Sequence, residues 1–400
     1  MRNLVSLAAS LVRRHSLDRT FYIYDMNAVD AAVKAWRSWM PDVRPFYAVK
    51  CNPDTMVMKV LHEAGAGFDC ASTREFKVAF RAGADASNDI VFAHPCKHPN
   101  DVAKAEAMGV SLTTVDNVHE ITKLRGGTMS ALLRIVVPPR PDGAKVARID
   151  LGTKYGADHR REAPAIIDAA SQTGLRLVGV SFHVGSSCVD PTAYDRAIGA
   201  AADVRTAMLS KGHRFDILDI GGGFNAQLPL SIVGPIVHAS VKNHGFQDDM
   251  VRVIAEPGRF FVESAATVVT RIIGKRVRAG VVDYFITDGL YGSFNSVLYD
   301  GQVPHDPVPI RMMRSTTPMS STTTVNIWGP TCDSADCVMR GNESVPTDLH
   351  VGDWLAFPRA GAYTISGARD FNGIPMASPR RFYIGGSSML NNIRHTIYNA

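Results

Sequence analysis

The run Phe46-Tyr47-Ala48-Val49-Lys50-Cys51-Asn52-Pro53 sets four apolar residues of strand character against a lysine and then a turn signal. Lysine is rarely buried without a partner, so one at the inner end of a strand has two readings. Its stem can lie on apolar surface while the amine reaches water, or the amine can sit in a pocket with a lowered pKa for Schiff-base chemistry. Other stretches could serve such an amine. Asp219-Ile220-Gly221-Gly222-Gly223-Phe224 is a strand running into three glycines, either a tight turn or a nest of amides for a phosphate. It lacks the spacing of a dinucleotide fingerprint or a P-loop. Glu256-Pro257-Gly258-Arg259 offers a carboxylate for a protonated ring nitrogen and an arginine for a phosphate, or else a structural ion pair. His183-Val184-Gly185-Ser186 offers an imidazole that could stack on a planar ring and a hydroxyl for a phosphate oxygen, or else a satisfied core histidine. His94-Pro95-Cys96-Lys97-His98 has ligand types that suit zinc, but Pro95 stiffens it and no second cluster has matching spacing. Cys332-Asp333-Ser334-Ala335-Asp336-Cys337 reads as a metal-like cluster, a reactive thiol among carboxylates that grip a cation, or a plain loop.

The elements that must position these residues alternate. Strand-like runs at 46–50, 67–70, 90–94, 112–116, 131–137, 177–183, 217–220 and 251–256 are separated by helical patterns at 54–64, 72–82, 101–108, 117–124, 163–172, 191–209 and 230–243. Eight such repeats are what an α/β fold closed into a (β/α)8 TIM barrel needs. Barrel enzymes work at the C-terminal ends of their strands, and those ends carry Lys50, Asp69, His94, Asp116, His183, the glycines after Ile220, and Glu256. One rim thus collects a lysine for a Schiff base, a carboxylate for a ring nitrogen and a glycine nest with an arginine for a phosphate. That set matches pyridoxal 5'-phosphate.

After Ser264 the texture changes to β-branched and aromatic runs at 267–277, 281–287, 322–328, 354–357 and 381–384, which predict an all-β C-terminal domain. Residues 305–323 read as a surface loop. Residues 21–24 read as a strand. Residues 1–17 have no acid and carry Arg2, Arg13 and Arg14, as transit peptides do, yet Leu4, Leu7, Ala8, Leu11 and Val12 recur at helical spacing and predict an amphipathic first helix. The expected division is a cofactor-binding barrel over 25–265, with 1–24 and 266–400 forming the β-domain. The 400 residues carry a net charge of +5 and no basic run with interleaved aromatics, which argues against nucleic acid. No apolar stretch is long enough to span a bilayer. Six cysteines without a CxxC pair fit reduced thiols in the cytoplasm.

The ordered motifs resemble the ornithine decarboxylase family, barrel-type pyridoxal-phosphate decarboxylases with an alanine racemase-like fold. They are Tyr-Ala-Val-Lys-Cys-Asn at 47–52, Phe-Asp-Cys-Ala-Ser at 68–72, Ser-Phe-His-Val-Gly-Ser at 181–186, Leu-Asp-Ile-Gly-Gly-Gly-Phe at 218–224 and Ala-Glu-Pro-Gly-Arg at 255–259. The second domain adds Asp-Gly-Leu-Tyr-Gly-Ser-Phe-Asn at 288–295, Gly-Pro-Thr-Cys-Asp at 329–333 and Gly-Ala-Tyr-Thr at 361–364. The resemblance implies that Lys50 holds the cofactor, His183 stacks on its ring and Glu256 keeps the ring nitrogen protonated. Ser186, the turn of Gly221, Gly222 and Gly223, Gly258 with Arg259, and Tyr363 would bind the phosphate, with Asp69 and Arg148 in support. Cys332 would return a proton to Cα. Asp300 and Asp333 would bind the distal ammonium of a diamino acid, with Tyr291 and Phe371 beside the substrate.

A head-to-tail homodimer with shared active sites, the Cys332 loop reaching across, is also implied, together with decarboxylation of L-ornithine to putrescine and carbon dioxide. Lysine or dual specificity is an alternative, because 301–309 departs from the common family pattern. Diaminopimelate is disfavoured by Asp-Ser-Ala-Asp after Cys332, and arginine by Asp300 where a longer acid is expected. A non-catalytic paralogue that binds a regulatory partner would carry lesions at catalytic positions, and none is found. The chain lacks the long C-terminal extension that some eukaryotic members use for regulated degradation, so no such control is expected.

Overall fold

Eight short parallel strands close into a barrel in the order expected: Val43–Ala48, Gly67–Cys70, Ile90–Phe92, Leu112–Val115, Ser130–Ile135, Leu177–Phe182, Ile217–Asp219 and Arg252–Ala255, the last pairing back with the first. In the computed structural model the described residues are 2–149, 151–247, 250–312 and 324–386. The chain divides into two units, one of residues 31–260 and one of residues 1–30 with 261–400.

The barrel closes because its strands carry apolar residues on the inner face. Phe46, Val91, Leu132, Ile217 and Ile254, from five different strands, pack into one buried cluster, a side-chain layer of the kind that fills such barrels. The linking helices start sharply. Asp54 caps Thr55–Glu63 by accepting the Met56 and Val57 amides at 3.0 and 3.2 Å. Ser72 caps Thr73–Arg81 through the Glu75 amide, while the Glu75 side chain accepts at 2.6 Å from the amide of Ala71, the residue before the cap, a variant of the capping box. Each cap ties down a loop that has just left a strand end, and so steadies the rim.

Several expected boundaries move. The first strand stops at Ala48, and Val49–Cys51 form a 3-10 turn, so Lys50 stands on that turn and not on the strand. His94, Asp116, His183 and Glu256 likewise lie just past their strands. The helix Met26–Trp39 has no counterpart in the expected pattern. A small ladder pairs Ala147–Ile149 with Ser186–Cys188, which the polar sequence there does not announce.

The other unit is a mixed eight-stranded sheet. Its path runs Val308–Ile310, Trp354–Phe357, Ala266–Arg278, Val281–Ile286, Val325–Trp328 and Cys337–Asn342. Phe21–Asp25 pairs antiparallel with Ala266–Arg278 and parallel with Arg380–Ile384. The first helix is Arg2–His15, and its Ala8, Ala9 and Val12 pack with Phe21, Ile23, Val269, Trp354 and Phe382. The predicted loop at 305–323 contains the strand Val308–Ile310, and its part at 313–323 lies outside the described residues. Residues 332–337 are not all loop, since Cys337 opens a strand.

Candidate active site

Lys50 is flanked by Val49 and Cys51, both fully buried, so the turn that packs them directs the lysine side chain outward. Its amine bonds the Asp69 carboxylate, which is 1% exposed, while the lysine side chain is 46% exposed. The stem therefore reaches the surface of the barrel unit, but its charge is held by a buried acid. Ala48 N donates to Pro257 O at 3.2 Å, joining the first strand to the loop after the eighth. A Cβ at Gly258 would lie 2.9 Å from Cys51 Cβ, so that close approach requires glycine.

Beside this pair the strand ends carry further acids. Asp219 ends the seventh strand and Glu256 follows the eighth. Burial pushes the Glu256 carboxyl well above the usual range, and the charges of Asp219 and Asp69 add to the effect, opposed by Lys50 and Arg134. Burial also raises Asp219, to about 7. Glu256 Oε1, Asp219 Oδ2 and Asp69 Oδ1 are buried and without a hydrogen-bond partner among the described residues. Buried polar atoms are nearly always bonded, so this floor has acceptor capacity for an incoming N–H group.

His183 lies next to the floor. Burial, then the charges of Arg134 and Lys50, lower its pKa to about 3, so the ring is neutral near pH 7. Its Nδ1 accepts the Gly185 amide at 2.9 Å, which leaves the proton on Nε2. The glycine turn then passes close by. Gly221 has φ +63° and Gly223 φ +101°. A Cβ at Gly221 would meet Phe182 O at 2.0 Å, and one at Gly222 would meet His183 Nε2 at 2.6 Å. Tyr194 OH donates to Gly222 O at 2.9 Å and Asn225 Nδ2 to Gly223 O at 3.0 Å, so carbonyls are tied while the Gly222 and Gly223 amides have no partner among the described residues. Arg259 is 7% exposed, and Ser186 begins its short strand half-buried.

A cavity of about 480 Å³ lies beyond the ends of the fifth and sixth strands, with Arg134, Tyr155, His183 and Arg148 among its lining residues. Arg148 is exposed at its mouth. Arg134, on the fifth strand, is the arginine whose charge acts on His183, Asp219 and Glu256. Sequence reasoning passed over it, although an arginine inside the apolar run Ala131-Leu132-Leu133-Arg134-Ile135 was a usable signal. Asp219 was quoted within its motif but given no role.

In the β-unit, Tyr291 and Phe371 stack with ring centroids 4.0 Å apart and planes 11° apart. The Tyr291 hydroxyl donates to Asp333, and that bond, with the Ala335 amide, holds the Asp333 carboxyl below its usual pKa. The Arg369 guanidinium lies 5.1 Å over the Tyr291 ring. Cys332 is exposed, and its amide donates to Asn372 Oδ1 at 3.1 Å. The buried Asp336 carboxylate organises the loop by accepting from Leu290 N and from the Thr331 amide and hydroxyl. Asp300 ends the helical turn Ser296–Tyr299 and accepts from Gln302 Nε2 at 3.1 Å. Tyr363 has φ +55°, an uncommon conformation for a non-glycine residue.

The remaining cluster is organised around a buried ion pair. Lys97, 3% exposed, donates to His94 O, Thr114 O and Glu120, and Lys123 pairs with the same glutamate. His94 Nδ1 accepts the Cys96 amide. Among the described residues no group of three or more His, Cys, Asp and Glu side chains could hold a metal ion.

A closed parallel barrel with a lysine, buried acids and a glycine turn at its strand ends defines an enzyme of the TIM-barrel class whose chemistry is at the carboxyl rim. Residues 26–263 match the pyridoxal-dependent decarboxylase family, pyridoxal binding domain. The chain is 41% identical over 357 residues to the chloroplastic ornithine decarboxylase of Nicotiana glauca, covering 88% of this chain and 81% of the relative. Among solved structures it is similar to the Paramecium bursaria Chlorella virus arginine decarboxylase bound to agmatine (34% identity, TM-score 0.85, 95% and 100% of the two chains). It is also similar to the Vibrio vulnificus lysine/ornithine decarboxylase complexed with putrescine (28% identity, TM-score 0.79, 95% and 98%). The chain belongs to the ornithine decarboxylase family of pyridoxal-dependent decarboxylases.

Proposed function

We propose that the protein uses pyridoxal 5'-phosphate to decarboxylate L-ornithine to putrescine and carbon dioxide. The carrying observation is the buried, unbonded Glu256 oxygen on the same rim as the Lys50–Asp69 pair, in a chain 41% identical to an ornithine decarboxylase. That oxygen suits a protonated ring nitrogen, and the Gly222 and Gly223 amides, without a partner among the described residues, suit a phosphate, as does the buried Arg259. When bound, the cofactor supplies an electron sink for the bond pair left as carbon dioxide departs.

The chain's own residues do the rest. Lys50 would hold the cofactor by its amine, with Asp69 orienting that amine. Neutral His183 packs its ring face without bringing a charge to the site. Glu256 accepts the ring N–H. Gly221, Gly222, Gly223, Gly258, Arg259, Ser186 and Tyr363 bind the phosphate, and Arg134 and Arg148 add positive charge. Cys332 delivers a proton to Cα. Asp333, held by Tyr291 beside Phe371, and Asp300 bind the distal ammonium.

A second reading, lysine or both diamino acids, is favoured by the likeness to a lysine/ornithine decarboxylase. One methylene shifts discrimination by only about 1–3 kcal/mol. Purified protein with cofactor and ornithine, lysine, arginine or diaminopimelate, assayed by product mass spectrometry, decides. Ornithine should show the largest kcat/KM. Cadaverine or agmatine as the main product would overturn the substrate, and no amine from any of the four would sink the decarboxylase reading.

The working form is a homodimer with shared sites, and its compartment is the cytoplasm. Six unpaired thiols support a reducing compartment. Among the described residues no helix is long and apolar enough to cross a membrane.

A further inference from the structure

In the glycine turn at 221–223 every carbonyl is taken. The Gly221 carbonyl accepts the Glu256 amide at 2.7 Å. The Gly222 carbonyl accepts the Tyr194 hydroxyl at 2.9 Å, and the Gly223 carbonyl accepts the Cys188 amide at 3.2 Å and Asn225 Nδ2 at 3.0 Å. A peptide is planar and trans, so its N–H points opposite to its C=O. Each tie therefore turns the next N–H away from the tying group, and the amides of Gly222, Gly223 and Phe224 have no hydrogen-bond partner among the described residues. Occupied acceptors with spare donors make an anion nest.

Two of these ties come from side chains with no part in the chemistry above. Tyr194, fully buried on the helix Thr192–Ser210, also stacks on Phe224, with ring centroids 5.4 Å apart and planes 28° apart. Asn225, 4% exposed, spends its whole side-chain amide locally. Its Nδ2 donates to Cys188 O and Gly223 O at 3.0 Å each, while Oδ1 accepts the Gln227 and Leu228 amides at 2.8 and 3.2 Å. A flipped amide would set its oxygen against two carbonyls, so the network fixes its orientation.

We infer that Tyr194 and Asn225 are positioning residues for the cofactor phosphate, holding the Gly222 and Gly223 carbonyls back so that the amides after them face the anion. This rests on the cofactor reading above. The glycines that let the backbone approach a phosphate also leave each peptide free to rotate and present its oxygen instead, and the two side chains remove that freedom. Donation to a carbonyl also polarises its peptide and strengthens the N–H at the other end.

Tyr194→Phe removes the hydroxyl and keeps the ring on Phe224; Asn225→Ala removes both donors. Full-length wild type and both variants are titrated with pyridoxal phosphate and with pyridoxal, the same ring and aldehyde without the phosphate, by following the visible band. Each variant should bind pyridoxal phosphate about 3- to 10-fold more weakly, as for one lost neutral hydrogen bond, with pyridoxal affinity unchanged. Native affinity for pyridoxal phosphate in either variant overturns the role of that residue. An equal loss for both ligands overturns the proposal, since a merely structural role weakens both alike. Inorganic phosphate on the cofactor-free chain, followed by phosphorus NMR, is the second readout, and both variants should bind it more weakly than wild type. If wild type takes up neither pyridoxal compound while phosphate binding keeps that order, the cofactor reading falls and the positioning role stands. Phosphate binding indifferent to both substitutions overturns the role.

Discussion

Lys50 works as a pair with Asp69. The acid is buried and the amine is on a half-exposed stem, so the lysine can swing while its resting position is defined. Lys50→Ala should abolish the visible colour of the cofactor-loaded protein and nearly all turnover, which absorbance and a carbon dioxide assay measure directly. Glu256→Gln should retain cofactor but lower kcat by about 100-fold or more, since a neutral amide cannot stabilise the ring charge as a carboxylate does. Unchanged kcat in that variant would remove Glu256 from the chemistry. His183 carries a pH signature of its own. Its folded pKa of about 3 lies below the ordinary value of about 6.5. Its contribution to stability is thus present above pH about 6.5 and lost as pH falls toward 3. The melting deficit of His183→Gln, followed from pH 7 to pH 4, should shrink.

At the scale of elements, the rim is built by strands that stop early and by turns that fix the residues just beyond them. The glycine turn shows how backbone contacts constrain the rim. Gly221 combines φ +63° with a Cβ position 2.0 Å from Phe182 O, so Gly221→Ala must displace backbone and should cost about 1–3 kcal/mol. Thermal melts and cofactor titration should both register it, and a variant with native cofactor affinity would show that the turn does not hold the phosphate. The helix caps act more gently. Ser72→Ala loses the bond to Glu75 N and should lower stability by about 0.5–2 kcal/mol in a denaturant melt.

For the whole molecule, the shared-site homodimer makes the sharpest demand. If Lys50 and Cys332 from different subunits complete one site, then mixing inactive Lys50→Ala with inactive Cys332→Ala should restore about a quarter of wild-type activity through hybrid dimers with one intact site each. No recovery after verified subunit exchange would exclude sharing. Sedimentation of wild type should give twice the 43.4 kDa chain mass.

Much of the barrel is legible in the sequence, because parallel barrel strands buried on both faces leave continuous apolar runs and the helices between them leave clean 3.6-residue spacing and caps. Lys50, His183, Glu256 and the three glycines were legible for the same reason: each stands where an apolar run ends. What only the tertiary structure decided was which charges meet. Arg134 hid within a strand, and Asp219 looked like a residue of the turn. Their importance comes from neighbours distant in sequence, Arg134 acting on His183 and Asp219 on Glu256. A chain's local pattern records which residues leave water. The electrostatic coupling of buried groups depends on distances across the closed barrel, which no spacing along the chain contains.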